Sequence, residues 1–302
     1  MKNKALKRLI YGLSLLVTFV PSLSFALTPH FKYDTVTTTG YKLKTIIIDP
    51  GHGGSQPSGA PGTFSHGASG SYSLERNVTL ALAFKLQREL EKEMPGLKVV
   101  LTRTTEDDVS LQRRAQIANE NKGNLFISLH CNSLPGRRIH EVVGHKHHKP
   151  IYRTTEVADR SGKGVLLLVY GFHRSKEEEK AIKDNLIEDD TEMNTNPDPN
   201  DPESIILMNE YKRKYRKQSI HLAELLNTEF TETDGRHSDG IREQGILVLC
   251  HSAMPAVLVE TGYINNPDDE AYLNSEDGQN EIVASIVRAI TNYKAGIEQV
   301  SQ

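Results

Sequence analysis

Four short segments, far apart in the chain, each place a metal-binding or proton-transferring side chain beside a strand-like run. The four side chains are His52, Glu75, His130 and Glu260. Three of them follow apolar runs, which places them at strand C-termini, where open α/β sheets build their sites. Two imidazoles and a carboxylate hold a catalytic Zn²⁺ with a fourth position for water, and a second carboxylate can move the proton. The pattern predicts a metal site at one edge of a sheet.

Longer motifs surround these four residues. In this order they resemble the zinc-dependent N-acetylmuramoyl-L-alanine amidases, which cleave the bond between the peptidoglycan sugar and its stem peptide. The likeness runs from about Lys44 to Tyr293. Departures are Cys131, where the family usually has a small residue, and a long loop over 55–72. The motifs are Asp49-Pro50-Gly51-His52-Gly53-Gly54, Glu75 at a helix start, Leu111-x-x-Arg114 with Ala118-Asn119, Ser128-Leu129-His130-Cys131-Asn132, and the run from Pro255 to Pro267.

The resemblance implies a role for each candidate residue. His52, Glu75 and His130 would bind one zinc ion, and Glu260 would be the catalytic acid/base. Glu260 would take the proton of the attacking water and return it to the departing L-alanine amine. Two other functions stay open: a zinc peptidase that cuts the stem peptide, and a non-catalytic wall-binding or activator module. Because all four candidate residues are present, the sequence favours an enzyme.

Structural explanations compete with the catalytic one at each residue. His52 in a Gly-rich turn can cap backbone groups, and Glu75 in the first turn of a helix can complement the macrodipole. His130 ends a buried run and needs a partner, of which a metal is one. Glu260 directly follows Ala256–Val259, where an ionised carboxylate is costly without a strong partner or a function. Glu260 is therefore the strongest single candidate.

Three polar residues of the motifs have structural interpretations. Arg114 lies on an amphipathic helix and is predicted to pair with a carboxylate. Asn119 and Asn132 are either supporting residues of the site or turn residues, and the sequence does not separate these options.

The chain has only two cysteines, Cys131 and Cys250. Both follow strand-like runs, so a bridge is possible, but two buried thiols are favoured because free Cys is among the most buried residue types. A nucleophilic pair of Cys131 with His130 is improbable, since adjacent strand residues point to opposite faces.

The apolar patterns alternate between strand-like and helix-like segments. They predict an α/β fold with one domain, a central mostly parallel or mixed sheet flanked by helices, and the active site at the strand C-terminal ends. The predicted strands are Thr45–Asp49, Lys98–Leu101, Asn124–Leu129, Gly164–Tyr170, Ala256–Val259 and one near Ile246–Leu249. The predicted helices begin at a Ser73 cap and end before Pro95-Gly96, begin at a Ser110 cap and end at Asn121, and span about Ile205–Phe230 and Asp277–Tyr293.

The N-terminus has the order of a secretory signal: a basic start, an apolar run from Leu9 to Val20, and small residues up to Ala26. The run is shorter than the ~20 residues that a membrane span needs, so cleavage after Ala26 is favoured over an anchor. We therefore expect an exported protein of the periplasm or cell envelope without a stable membrane span. The predicted parts are the signal 1–26, a lead segment 27–43, the catalytic domain 44–296 and a tail 297–302.

Charge excludes one class of partner. The signal carries four cationic side chains and no acidic ones, so its removal changes the net charge from −3 to −7. Phosphate binding needs a basic face, so nucleic acid is not an expected partner, and peptidoglycan is.

Two insertions interrupt the alternation, at about 135–163 and 174–204. The first is basic and contains His140, His145, His147 and His148. We expect a solvated excursion there. A second metal site is the alternative, since clustered histidines bind metals.

The second insertion is predicted to be an acidic helix followed by a Pro/Asn/Asp-rich loop. Some amidases of the resembled family carry an inserted helix that donates a Glu to the zinc until a partner protein removes it. By this resemblance Glu177, Glu178 and Glu179 are candidates for autoinhibition, and a protein activator is a possible partner. Deletion of residues 175–200 would then raise the hydrolysis of isolated peptidoglycan. An ordinary solvated helix explains the same charges.

Overall fold

A six-stranded mixed sheet forms the centre of the computed structural model, which describes residues 42–54, 67–171, 175–188 and 202–299. The strand order is β2-β1-β3-β8-β6-β7, and β8 and β6 are antiparallel while the other neighbours are parallel. This confirms the predicted fold class. The strands are β1 (Thr45–Pro50), β2 (Lys98–Leu101), β3 (Leu125–Asn132), β4 (Arg137–Lys146), β5 (Lys149–Val157), β6 (Val165–Tyr170), β7 (Ser238–Gln244) and β8 (Ala256–Tyr263).

Helices cover both faces of the sheet. Leu82, Leu226 and Ile286, from three different helices, share a buried cluster with one side of β1 and β3, and Ala118 and Val248 pack with the other side. Strands buried on both faces read as continuous apolar runs, as β1 and β3 do. The helices are α1 (Glu75–Glu93), α2 (Leu111–Glu120), α3 (Ser175–Glu188), α4 (Pro202–Thr228, continued by a π-helical turn Glu229–Thr233), α5 (Leu247–Cys250), α6 (Pro267–Asn274) and α7 (Glu276–Gln299).

The predicted strand near Ile246–Leu249 is wrong. Residues Leu247–Cys250 form the short helix α5, with Val248 and Leu249 buried. An apolar run this short fits a buried helical turn as well as a strand. The strand beside β6 at one edge of the sheet is β7. Its sequence contains Gly240 and charged residues and shows no apolar run, and parallel pairing with β6 holds it.

Two helix boundaries also differ from the prediction. The N-cap residue of α1 is Leu74 and not the predicted Ser73, and no side chain caps the helix. The Ser73 hydroxyl instead donates a hydrogen bond to Glu270. The last helix continues past Tyr293 to Gln299, because Ile297 packs on the core and Lys294 pairs with Glu298 one turn later. The predicted Ser110 cap is confirmed, since the Ser110 side chain accepts from the Arg113 N–H.

The first insertion is a β4–β5 hairpin whose residues are nearly all exposed. His147 and His148 form its turn with φ values of 50° and 63°. The His140 ring hydrogen-bonds Thr154 across the strands. Among the described residues, the groups able to hold a metal include none of the hairpin histidines. The exposure of nearly all its residues makes the hairpin the solvated excursion that we expected.

The predicted signal 1–26, most of the lead segment, the loop 55–66 and the end of the second insertion (189–201) lie outside the described residues. Within the part of the chain that is described, none of the helices has the length and hydropathy to cross a bilayer. The described residues belong to one compact unit, Gly40–Gln302.

Glu270 on α6 anchors the loop that leads into α1. Its buried carboxylate accepts hydrogen bonds from the N–H groups of Ser71, Tyr72 and Ser73 at 2.8, 2.8 and 3.0 Å. Burial raises the pKa of Glu270, but these hydrogen bonds outweigh it, and the pKa lies below its ordinary value. The carboxylate fixes the approach to Glu75, the first residue of α1.

We expect Glu270→Gln to lower the free energy of unfolding by about 2–4 kcal/mol at pH 7, because an amide cannot accept from all of these donors. A lowered folded pKa gives stability that is present above the unfolded pKa of 4.5 and is lost as the pH falls through the folded pKa. The difference between variant and parent should therefore shrink below pH 4.5. Urea unfolding of variant and parent at pH 7 and below pH 4.5 measures this difference in the free energy of unfolding. Exposed Glu276→Gln is the control, and equal stability at pH 7 for Glu270→Gln would contradict the assignment.

Candidate active site

Two buried arginines hold the turn that presents His52. This residue has φ 60°, a left-handed conformation that costs roughly 1 kcal/mol or more for a side chain with a Cβ. Arg114 donates to the carbonyls of Pro50 and His52 at 2.6 and 2.7 Å, and Arg103 donates to the Gly51 carbonyl at 2.9 Å. The side chains of Arg103 and Arg114 thus bind the three successive carbonyls of residues 50–52. These hydrogen bonds fix the strained turn.

Asp49 neutralises Arg114. The two side chains are buried, with Nη1 and Oδ1 at 2.7 Å. The hydroxyls of Ser128 and Thr102 also donate to the Asp49 carboxylate. Burial raises the pKa of Asp49, but the Arg114 charge and the hydrogen bonds outweigh it, so the pKa is lowered. The predicted pairing of Arg114 with a carboxylate is confirmed.

Glu75 is the point where the two candidate histidines meet. Its Oε1 lies 2.9 Å from His130 Nδ1 and 3.2 Å from His52 Nε2, and it accepts from the Cys131 N–H at 2.9 Å. Its Oε2 accepts from the Ala68 N–H at 2.6 Å. Burial raises the pKa of Glu75, but the hydrogen bonds of the two histidines outweigh it and lower the pKa far below its ordinary value. Glu75 is therefore an ionised, oriented carboxylate.

The three side chains converge into one cluster. The ring centroids of His52 and His130 are 4.8 Å apart, and the candidate ligand atoms with Glu75 all lie within 4.8 Å of one another. Two glycines make the space: a Cβ on Gly51 would lie 2.4 Å from the His130 ring, and one on Gly67 would lie 2.4 Å from the Glu75 carboxylate. Two imidazole nitrogens and a carboxylate oxygen suit a zinc ion with an open fourth position.

Glu260 lies beside this cluster on the neighbouring strand. The register of β3 and β8 pairs His130 with Glu260, so both side chains lie on the same face. The strands continue to Asn132 and Tyr263, so both residues lie within strands and not directly after them. Glu260 Oε2 is buried and has no hydrogen-bond partner among the described residues. Burial raises the pKa of Glu260 to about 7, against a lowering influence of His130. Such a carboxyl both accepts and donates a proton near neutral pH.

Arg103 and Gly67 belong to the site but were missed in the sequence. Arg103 and Thr102 directly follow the strand Lys98–Leu101, and polar residues at the end of a predicted strand were the available signal. Gly67 lies within the long loop 55–72, and no local pattern connects it to Glu75.

The asparagines and cysteines have structural roles. Asn119 bonds the backbone of His251 and Ala253, and Asn132 accepts from the following N–H. The two cysteines are buried and not bridged to each other. Burial raises the pKa of Cys131 well above its ordinary value, and the thiol lies 3.7 Å from the Thr261 hydroxyl. Cys131 is thus a buried thiol, as the sequence favoured.

The acidic residues of the second insertion lie elsewhere. The predicted helix is present as α3. Its Glu177 lies 3.0 Å from His251 and its Glu179 lies 3.6 Å from Lys212 of α4, while Glu178 is buried. These carboxylates do not join His52, Glu75 and His130 in this structure. Control by the segment 175–200 stays a prediction.

Comparison with known proteins gives the family. The profile described as N-acetylmuramoyl-L-alanine amidase matches residues 46–292, most of the chain. The chain belongs to the N-acetylmuramoyl-L-alanine amidase family. Its amidase domain is 29% identical over 249 residues to a protein of Buchnera aphidicola provisionally named as such an amidase, covering 82% of this chain and 95% of that protein.

A provisionally named cell wall amidase, LytH of Staphylococcus epidermidis, is 27% identical over 259 residues. The match covers 86% of this chain, which spans only 61% of the length of LytH. The amidase Ami1 from Mycobacterium smegmatis aligns with a TM-score of 0.55 and 17% identity, covering 85% of this chain and 100% of Ami1. At this identity the likeness to Ami1 concerns the fold.

We expect Gly51→Ala to weaken zinc binding by about 10–100-fold, the range for lost support of a metal ligand, because the new methyl group displaces the His130 ring. Competition titration with a chromophoric chelator measures the affinity. The control is Gly144→Ala in the hairpin, where an added Cβ meets no atom within 4 Å. An unchanged zinc affinity in folded Gly51→Ala would show that His130 does not bind the metal from the position described above.

Proposed function

We propose that this amidase hydrolyses the amide between the N-acetylmuramoyl lactyl group and L-alanine of peptidoglycan, with one Zn²⁺ held by His52, Glu75 and His130. Glu260 is the proposed acid/base. The observation that carries the proposal is the buried Glu260 oxygen, which lacks a hydrogen-bond partner among the described residues and lies beside the histidine cluster.

The donor set supports zinc as the cofactor. Two imidazoles and an ionised carboxylate converge, and the N–H groups of Ala68 and Cys131 orient the carboxylate. When bound, the ion supplies Lewis-acid activation of water and of the substrate carbonyl. Glu75 keeps its charge because its pKa lies far below neutrality.

Glu260 carries the proton during hydrolysis. Its carboxylate takes a proton from the water that attacks the lactyl carbonyl carbon. As the carbon–nitrogen bond breaks, the same group gives that proton to the departing amine of L-alanine. A pKa of about 7, raised by burial, suits both steps at neutral pH. Because one residue takes and returns the proton, no nucleophile triad is required.

The proposed substrate lies outside the cytoplasmic membrane, so we infer that the enzyme acts there. Export through the predicted signal 1–26, to the periplasm or cell envelope, is part of this proposal. It is supported by the charged, apolar and small-residue order of the N-terminus. The wider roles that follow are cell-wall remodelling, turnover or daughter-cell separation. Regulation by a protein activator is a further part of this proposal. It rests on the resemblance of the second insertion to the inserted helix of some amidases of the family.

Digestion of purified peptidoglycan by the purified protein tests the reaction. We expect mass spectrometry to find released, intact stem peptides with a free L-alanine amino group. A chelator should abolish this release, and added zinc should restore it. Released D-alanine or cut stem peptides would support a peptidase instead, and no release from any wall preparation would support a non-catalytic module.

We expect Glu260→Gln to keep the fold and the zinc but to lower turnover by about 10²–10⁴-fold, because an amide fills the space without carrying a proton. Zinc content, unfolding midpoint and kcat on soluble muropeptides are measured together. Glu243→Gln on the edge strand β7 is the matched control and should keep its activity. Near-normal turnover of Glu260→Gln would remove Glu260 from the mechanism.

A further inference from the structure

A second cluster of metal-binding side chains lies where the inserted helix α3 meets the short helix α5. Glu177 is in the first turn of α3, and Cys250 and His251 end α5. Glu177 Oε2 lies 3.0 Å from His251 Nε2 and 3.5 Å from Cys250 Sγ, and all three ligand atoms lie within 4.8 Å of one another. The proposed zinc ligands His52, Glu75 and His130 form a separate group.

The spacing fits one tetrahedral cation. Ligand atoms about 2.0–2.3 Å from a zinc ion at tetrahedral angles lie roughly 3.3–3.7 Å apart. The two short distances in the cluster are within about 0.3 Å of this range. A small shift of the Glu177 side chain therefore makes room for an ion.

The charges and the exposure fit as well. A thiolate and a carboxylate together neutralise a divalent cation, and the imidazole adds a neutral ligand, so a bound ion leaves no net charge beside the core. Cys250 is fully buried, whereas the side chains of His251 and Glu177 are 27% and 40% exposed. The exposed side gives an ion access and leaves the fourth position to water.

We propose that Glu177, Cys250 and His251 form a second, structural site for a thiolate-binding divalent cation such as Zn²⁺. An ion there ties the start of α3 to the end of α5. The α3 helix also packs on the protein through Ile182, which contacts Met208 and Ala253. The cation would thus fix the inserted helix to the segment that leads into β8, the strand of Glu260.

Cobalt binding to the purified protein tests this site, because a cobalt ion bound by a thiolate has a near-ultraviolet charge-transfer band. We expect two equivalents of Co²⁺ per chain and this band in the parent protein. His130→Ala should lose one equivalent and keep the band. Cys250→Ser should lose the band, with an affinity at the second site at least about tenfold lower. Since the hairpin and the proposed zinc ligands supply no sulfur, the band reports the second cluster.

Cys131→Ser is the matched control, because Cys131 is the other buried thiol of the chain. We expect this variant to keep the band. The parent protein itself keeps the test decisive if Cys250→Ser fails to fold. One equivalent of cobalt without a thiolate band in the parent would overturn the proposal. Loss of the band in Cys131→Ser, with the band kept in Cys250→Ser, would also overturn it.

Discussion

The buried ion pair of Asp49 with Arg114 is the interaction on which the histidine cluster depends. Removing two charges from water costs several kcal/mol per ion unless the geometry and further hydrogen bonds compensate. Here Arg114 also binds the carbonyls of Pro50, His52 and Val109, and Asp49 accepts from two hydroxyls. Asp49 belongs to β1 and Arg114 to α2, so the pair connects the sheet to the helix layer. Its role is to hold the left-handed turn of His52 in place.

The site contains two carboxyl groups, Glu75 and Glu260, whose surroundings shift their pKa values in opposite directions. Glu75 meets two histidines and two N–H groups, which keep it ionised. Glu260 Oε2 is buried and has no hydrogen-bond partner among the described residues, and burial of the carboxyl raises the pKa of Glu260 to about 7. Divergent pKa values in one pocket assign different tasks to chemically similar groups. These surroundings support the proposed roles, in which Glu75 binds the metal ion and Glu260 moves protons.

The sequence predicted those elements whose pattern reflects burial. The strands β1, β3 and β8 are buried on both faces, so their apolar runs marked them, and the polar residues at or near their ends marked the site. The edge strand β7 was missed because it is half-buried and has no apolar run. The apolar run at α5 favours a strand as much as a helix, because four residues, three of them buried, are too few to show a period. Glu270 binds Ser71 across 199 residues of sequence, which local patterns do not reveal. Gly67 is close to Glu75 in sequence, but its loop has no regular pattern that shows the contact.

The zinc affinity of Arg114→Lys tests the role of the ion pair most directly. Lysine keeps the charge but has one nitrogen with three donors, so it cannot replace the three guanidinium nitrogens that bind Asp49, the His52 turn and the Val109 carbonyl. The neighbouring Arg113→Lys is the control, because the Arg113 side chain is 49% exposed and that of Arg114 is 2% exposed. We expect folded Arg114→Lys to bind zinc about 10–100-fold more weakly, with Arg113→Lys unchanged. Parental zinc affinity in folded Arg114→Lys would contradict the dependence of the metal site on this pair.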